Sequence, residues 1–235
     1  MKFALIGHPV AGSVSPVLFS AAYGGRFGYD LVDGTFEECW SRFLECYEGI
    51  NVTAPYKQDA FARCAWLSPA ALKTGAVNLI LRDGLRGYNT DVDGVLYALR
   101  GGCFERALVV GTGGAARAAV TAALQLGCQV GIWGRSPEKV SVLEEQFGLS
   151  GAVDNPDLII YTLPGSAPVP SGLPFAGAAV LEAEYRIPQL RSVPCKRYIG
   201  GLQWLLGQAV AGYSVFTGKE PSISAMEAAL EQFLQ

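Results

Sequence analysis

The chain has one histidine, His8, and two methionines in 235 residues, and only 17% of its residues are charged. A lone histidine argues against the histidine-rich donor sets of catalytic metal centres. The six cysteines, at 39, 46, 64, 103, 128 and 195, include no C-x-x-C pair, so a zinc site is not expected either. Their scattered spacing reads as free thiols in a reducing compartment rather than as a disulfide framework. An excess of charge of one sign is also lacking. The formal net charge is −3 and no run of basic residues exceeds two, which excludes the electrostatic footprint of a nucleic-acid binder or of a protein drawn to acidic membranes. No segment reaches the roughly 20 apolar residues of a membrane span. The apolar part of MKFALIGHPV is too short for a signal peptide. The expectation is a cytoplasmic protein with a small-molecule partner and neither a nucleic-acid nor a membrane partner.

Half of the residues are hydrophobic, enough for a sizeable core, and the length suits one large or two small domains. Residues 2–7 read as a buried strand. Ser15 is placed to cap a helix that has Pro16 in its first turn and runs to about Gly24. Residues 29–33 read as a second strand. Thr35, three residues ahead of Glu38, opens an amphipathic helix over 35–47. Residues 50–53 form a short β-branched strand, and Pro55 opens a helix reaching about Trp66. A short helix starts at Ser68. Two short strands split by Asp83-Gly84 predict a hairpin, and a helix over 91–100 ends in Gly101-Gly102. This order predicts a mixed sheet with helices on its faces.

From residue 107 a second β-α-β series begins. Its strands are continuous apolar runs, as inside a parallel sheet: ALVVG, CQVGIW, DLIIYTLP and AAVLEAEY. Helices at about 201–217 and 222–235 close the chain. The fold class is therefore α/β, an N-terminal mixed-sheet domain plus a Rossmann-like domain. The first covers 1–101 and is completed by 208–235; the second covers 102–207.

Between the first strand and helix of the second series stands Gly111-Thr112-Gly113-Gly114-Ala115-Ala116, a G-x-G-x-x-A turn. Gly111, Gly113, Gly114 and Ala115 let the backbone approach a pyrophosphate, and the helix start offers free N–H groups and a positive dipole end. The alternative is an ordinary glycine turn, but strand, helix and next strand stand in the order that a dinucleotide site requires. An NAD-binding chain usually places an acid about twenty residues on, for the ribose diol. This one has Trp133-Gly134-Arg135-Ser136. Arg135 can pair with a 2′-phosphate, with Lys139 one helical turn further, so NADP(H) is favoured over NAD(H). The alternative for Arg135 is a solvated loop arginine.

The ordered motifs resemble the shikimate dehydrogenases over almost the whole length. They are G-H-P-V-A-G-S-V-S-P at 7–16, G-I-N-V-T-A-P-Y-K at 49–57, G-A-V-N at 75–78 and G-Y-N-T-D at 87–91. G-T-G-G-A-A-R-A follows at 111–118 and G-G-L-Q-W-L-L-G-Q-A at 200–209. The resemblance implies reduction of 3-dehydroshikimate by NADPH, within chorismate and aromatic amino acid biosynthesis. It carries the catalytic pair onto Lys57 and Asp91. It carries the substrate-binding groups onto Ser13, Ser15, Thr53, Asn78, Gln208 and Tyr185, and a late cofactor contact onto Gly201.

Elementary chemistry agrees with much of this. Shikimate has a carboxylate and three hydroxyls, so its site needs many short hydrogen-bonding groups. Ser13 and Ser15, two apart, would point the same way in an extended loop and hold the carboxylate. Asn78 and Gln208 each offer a donor and an acceptor. Lys57 suits a general acid for the carbonyl oxygen, and a base in reverse. Plainer readings exist: Ser15 as a helix cap, Thr53 as an ordinary β residue, Asn78 and Asn89 as turn residues, Tyr185 as core. Lys57 and Asp91 would then be an exposed lysine and a helix cap.

The chain departs from the family pattern where Gly12 replaces a histidine and Gly134 an asparagine. The segment 161–166 lacks a methionine, and Ala183 replaces a bulkier residue. A helical stretch between Tyr185 and Gly200 is trimmed. These changes cluster on the cofactor side. His8 near Ser13 is assigned a capping or packing role. A quinate/shikimate dehydrogenase using NAD and a shikimate-binding regulator without turnover are the competing readings, and a monomer and a homodimer are both compatible with the sequence.

Overall fold

The structure, a computed structural model, describes residues 1–233. Residues 1–90 together with the chain from Gln208 onward pack as one compact unit, and residues 91–207 as a second.

The first unit is built on a six-stranded mixed sheet. In chain order its elements are β1 (Lys2–Gly7), α1 (Ser15–Tyr23), β2 (Gly28–Asp33), α2 (Phe36–Cys46), β3 (Gly49–Val52), α3 (Lys57–Arg63), β4 (Trp66–Leu67), α4 (Pro69–Thr74), β5 (Leu79–Leu81) and β6 (Arg86–Tyr88). The strand order is β2-β1-β3-β5-β6-β4. β1 pairs in parallel with β2 and β3, whereas β5 runs antiparallel to both β3 and β6.

The apolar run of β1 is buried on both faces. Ala4 and Ile6 join Ile50, Val52, Trp40 and Phe43 in a core under α2. Phe3 faces the other way, against Phe19 of α1 at 5.4 Å and Phe216 at 4.7 Å between ring centroids. The Thr35–Glu38 capping box forms as expected: Thr35 Oγ1 accepts from the Glu38 N–H at 3.4 Å, and Glu38 Oε2 accepts from the Thr35 N–H at 2.8 Å.

Three expectations change in this unit. Ser15 does not cap α1; the cap position is Val14, and Ser15 is the first helical residue. Pro55 lies in a turn ahead of α3, which starts at Lys57 and stops at Arg63. Trp66–Leu67 then forms an edge strand instead of a helix end, because β6 supplies it a parallel partner.

The second unit contains α5 (Asp91–Ala98), β7 (Arg106–Val110), α6 (Gly114–Gln125), β8 (Gln129–Trp133), α7 (Pro137–Phe147), β9 (Leu158–Tyr161), β10 (Ala179–Glu182) and β11 (Arg197–Ile199). All five strands are parallel, in the order β11-β10-β9-β7-β8. β11 is absent from the sequence reading; it exists because β10 offers an open edge. α5 packs on α6, so by packing the division falls at Thr90 and not at residue 101. α8 (Gly201–Thr217) leads back to the first unit, where α9 (Ile223–Phe233) packs on α1.

Candidate active site

In the first unit the polar residues singled out by the sequence collect at one end of the sheet. β1 and β3 are parallel, with Ile6 opposite Val52, so the loop after Gly7 and the turn at Thr53 leave from the same end. β5 starts and β6 finishes there, since Leu79 pairs with both Asn51 and Tyr88. Carboxyl ends of parallel strands are where ligands bind in open α/β sheets.

Asn78 is the centre of this cluster and is 3% exposed. Its Oδ1 accepts the Thr90 N–H at 2.8 Å. Its Nδ2 donates to Thr90 Oγ1 at 3.1 Å and to Gln208 Oε1 at 3.4 Å. Asn78 is thus no turn residue; it ties the start of β5 to the segment leading into Asp91 and to α8. Asn89 supports the same corner, its Nδ2 donating to Thr74 Oγ1 and to the Ala76 carbonyl, both at 3.0 Å. Lys57, half-buried at the head of α3, accepts the Val77 N–H on its carbonyl at 2.9 Å, one residue from Asn78. Asp91 is buried and begins α5 in the second unit.

The Ser13 and Ser15 hydroxyls lie together, Ser13 Oγ donating to Ser15 Oγ at 3.1 Å. The expected pairing holds, but on the entry to α1 and not in an extended loop. Thr53 is half-buried after β3 and donates its N–H to Ile6 O at 2.9 Å. A Cβ at Gly7 would overlap the Thr53 methyl, so glycine there lets the two strand ends close. Gly12, where the resemblance expects a histidine, is exposed with φ +78°. His8 braces this loop: its Nδ1 lies 2.6 Å from Asp33 Oδ1, and Asp33 Oδ2 accepts the Val10 N–H at 2.8 Å. The Val10 bond foremost, then His8, holds the Asp33 carboxyl below the usual range.

In the second unit the cofactor-side residues follow the strands at their carboxyl ends. Gly111 closes β7 with φ +127°, and a Cβ there would overlap Thr162 Oγ1, which donates to Val110 O at 2.9 Å. Gly113 sits at the cap of α6 with open space where a side chain would be. Gly114 and Ala115 form the first turn. No side chain caps this helix and no acid stands in its first turn, so its N–H groups face outward without competition from a carboxylate. Arg135 is exposed after β8, and its side chain forms no hydrogen bond or ion pair among the described residues. An open glycine cradle, an uncapped helix start and a free guanidinium fit a phosphorylated dinucleotide. Gly201 opens α8, where a Cβ would run into the Ala183 carbonyl. Tyr185 lies in this unit on the segment after β10, half-buried, with the Arg186 guanidinium 5.9 Å over its ring.

One group has no counterpart in the sequence reading. Glu182, at the end of β10, is fully buried. It accepts the N–H groups of Gln189 at 2.7 Å and Leu190 at 3.2 Å and the Tyr198 hydroxyl at 2.7 Å. An acid ending a strand is the available signal, but its partners lie on a segment with no periodicity to reveal them.

Residues 5–80 match the family model of the shikimate dehydrogenase substrate binding domain. An NADP(+) shikimate dehydrogenase of Thermus thermophilus is 35% identical over 261 aligned positions, covering 100% of this chain and 99% of the relative. That of Moorella thermoacetica is 29% identical, covering 97% and 92%. Among solved structures, the T. thermophilus enzyme in complex with NADP(H) and shikimate superposes with a TM-score of 0.87 at 30% identity, covering 99% of each chain. The Mycobacterium tuberculosis shikimate dehydrogenase gives 0.84 at 29% identity, again covering 99% of each chain.

Proposed function

The chain belongs to the shikimate dehydrogenase family, and from that premise we propose that it interconverts 3-dehydroshikimate and shikimate with NADP(H), serving aromatic amino acid biosynthesis in the cytoplasm. The observation that carries this reading is the cluster of short polar groups at one end of the first sheet: two serine hydroxyls, Thr53, and the Asn78–Gln208 pair, with Lys57 beside them. Such a set suits a ligand with one carboxylate and several hydroxyls.

The cofactor supplies a hydride to the ketone carbon when bound. The rest is the work of this chain. Ser13 and Ser15 grip the substrate carboxylate with their hydroxyl protons. Thr53, Asn78 and Gln208 fix the ring hydroxyls, and Asp91 accepts hydrogen bonds from them. As the carbonyl oxygen becomes an alkoxide, Lys57 Nζ donates the proton it needs; in the direction of shikimate oxidation it takes that proton back. In the second unit Gly111, Gly113, Gly114 and Ala115 shape the pyrophosphate cradle, Arg135 pairs with the 2′-phosphate, and Gly201 keeps the start of α8 against the backbone of Ala183. Tyr185 contributes a hydroxyl to the substrate.

The test follows nicotinamide absorbance with purified protein and shikimate, offering NADP and NAD in parallel. We expect turnover with NADP, reduced about 10²-fold or more in Lys57→Ala. Shikimate binding without turnover on either cofactor would sink the enzyme reading in favour of a regulator. Turnover mainly with NAD would overturn the role given to Arg135 and bring quinate forward as substrate.

A further inference from the structure

Glu138 is a carboxylate that the cofactor reading does not use, in the first turn of α7 and close in sequence to Arg135. Its place beside the cofactor loop is fixed from two sides. The Gly111 N–H donates to the Trp133 carbonyl at 2.8 Å. A Cβ at Gly134 would lie 2.7 Å from Thr112 Cγ2 and 2.9 Å from Val140 Cγ2. The glycine turn and the first turn of α7 therefore meet at Gly134, and residues 135–139 stand next to the cradle. Arg135, Glu138 and Lys139 are exposed there, and Ser136 is half-buried. The Ser136 hydroxyl donates to Glu138 Oε2 at 2.6 Å, while its oxygen accepts the Lys139 N–H at 3.3 Å. A serine hydroxyl has a single proton, so this one is committed to the carboxylate. The same bond is the first cause that holds the Glu138 carboxyl below the usual range, which keeps it an anion at neutral pH. Neither Arg135 nor Lys139 forms an ion pair with it among the described residues.

We propose that Glu138 is a specificity-determining residue that works against the 2′-phosphate: its carboxylate holds the Ser136 hydroxyl, and a phosphorylated cofactor must displace it to gain that donor. A phosphate ester carries a charge of about −1.5 to −2 near pH 7 and wants several donors at once. Arg135 and Lys139 supply two cations in this turn. Ser136 supplies the hydroxyl between them, but its proton already points at Glu138. The carboxylate also sets a like charge beside the incoming phosphate, which disfavours it. NAD carries a neutral hydroxyl in place of that phosphate and meets neither obstacle. Glu138 thus narrows the gap between the two cofactors without altering the pyrophosphate cradle at 111–115. Because the charge is exposed, added salt screens the repulsion and weakens the effect.

This inference rests on the reading of Arg135 as the partner of the 2′-phosphate. The test titrates NADP and NAD calorimetrically into the full chain: wild type, Glu138→Gln, Ser136→Ala, the double variant and Arg135→Ala. We expect Glu138→Gln to lower the Kd for NADP about 2- to 10-fold at low ionic strength, the scale of one exposed charge pair plus one released hydrogen bond to a charged group. The Kd for NAD should not move, and the gain for NADP should shrink at high salt. A merely structural role at the head of α7 has the opposite sign, because loosening the turn weakens both cofactors. In the Ser136→Ala background no hydroxyl is left to release, so the gain from Glu138→Gln should be smaller. An unchanged or higher Kd for NADP in Glu138→Gln would overturn the proposal, as would an equal tightening of NAD or an undiminished gain in the Ser136→Ala background. If Arg135→Ala leaves the ratio of NADP to NAD affinity as in wild type, the 2′-phosphate reading of this turn fails and takes the proposal with it, an outcome distinct from the others. Glu138→Ala replaces Glu138→Gln if the glutamine variant does not fold.

Discussion

Replacing Glu182 by glutamine changes almost nothing in shape and much in hydrogen bonding. The carboxylate is fully buried, and its two oxygens receive three donors: the Gln189 N–H on Oε1, and the Leu190 N–H and the Tyr198 hydroxyl on Oε2. A glutamine has one acceptor oxygen and one NH₂. With its oxygen towards Gln189 it points the NH₂ at the Leu190 N–H. The Tyr198 hydroxyl can turn and accept, but the backbone N–H cannot. The opposite orientation sets the NH₂ against Gln189 at the 2.7 Å position, which is worse. One buried N–H is orphaned in the better case, at a cost of about 1–3 kcal/mol. For a chain of this size each kcal/mol lowers the melting temperature by about 2–4 °C, so Glu182→Gln should melt about 2–12 °C below wild type in calorimetry or circular dichroism. Glu182→Gln with a wild-type melting temperature would refute the reasoning, because it would mean that the three donors find other acceptors at no cost.

Gly111→Ala forces a side chain into a backbone at φ +127° and into Thr162 Oγ1; strain of about 1–3 kcal/mol should lower the melting temperature and raise the Kd for NADPH, while shikimate binding in the binary complex, measured by calorimetry, stays as in wild type. Arg135→Ala should cut kcat/KM with NADP by roughly 10-fold or more, the scale of a lost hydrogen bond to a charged group, and leave the NAD reaction nearly unchanged; equal loss with both cofactors would count against a 2′-phosphate contact. On acidification, Asp33 (held low by the Val10 N–H and then His8) and Glu38 and Glu138 (held low first by the Thr35 and Ser136 hydroxyls) have folded pKa values below their unfolded ones. Their contribution is present above the usual carboxylate range and lost as pH falls through the folded values. On the alkaline side the sign reverses: burial raises the phenols of Tyr23, Tyr29 and Tyr198, so stability falls as pH rises beyond about 10, the ordinary tyrosine value. Melting temperature recorded across pH should decline at both ends, and a flat profile from about pH 3 to 11 would contradict both signs.

The parts of the fold legible in the sequence are those fixed by neighbours in the chain. Thr35 and Glu38 are three apart, and their reciprocal bonds close within one turn. Ser68 and Ser136 cap α4 and α7 for the same reason, each accepting the N–H three residues on. Asp83-Gly84 makes the expected hairpin, with Gly84 at φ +68°. The errors fall where a distant strand decides. Trp66–Leu67 is two residues long, too short for alternation to register. It is a strand only because Gly87 O accepts the Ser68 N–H at 2.9 Å and Leu85 O the Ala65 N–H at 3.0 Å. β11 arises likewise from β10, beginning with the Lys196 N–H bound to Ala178 O at 2.9 Å. The first division of the chain moves to Thr90 because the contacts of α5 with α6 outweigh its continuity with β6.

The candidate site follows the same rule, and it recasts the departures from the family pattern. Ser13, Thr53, Lys57 and Asn78 sit in short motifs, so their types could be read directly. The groups that hold Asn78 in place, Asn51 on β3 and Thr90 in the turn after β6, sit in neighbouring motifs, but nothing local to either marks it as the partner of Asn78. Read alone, Gly134 looks like the loss of an asparagine side chain beside the cofactor loop. In three dimensions the space is filled: a Cβ there would lie 2.7 Å from Thr112 Cγ2 and 2.9 Å from Val140 Cγ2, so the glycine turn at 111–114 and the start of α7 have closed over the position. Ala183 is matched in the same way by Gly201, which brings the start of α8 against the Ala183 carbonyl. The trimmed stretch after Tyr185 is pinned without a helix by Glu182, and by Glu184, whose Oε1 accepts the Arg186 N–H at 2.8 Å and whose Oε2 accepts the Gly165 N–H at 3.4 Å. Small residues on the cofactor side are therefore met by closer neighbours, while the uncapped start of α6 and the Arg135 side chain, unpartnered among the described residues, are left available. That pattern is what a compacted binding site requires, and it is not what erosion of an unused one would leave.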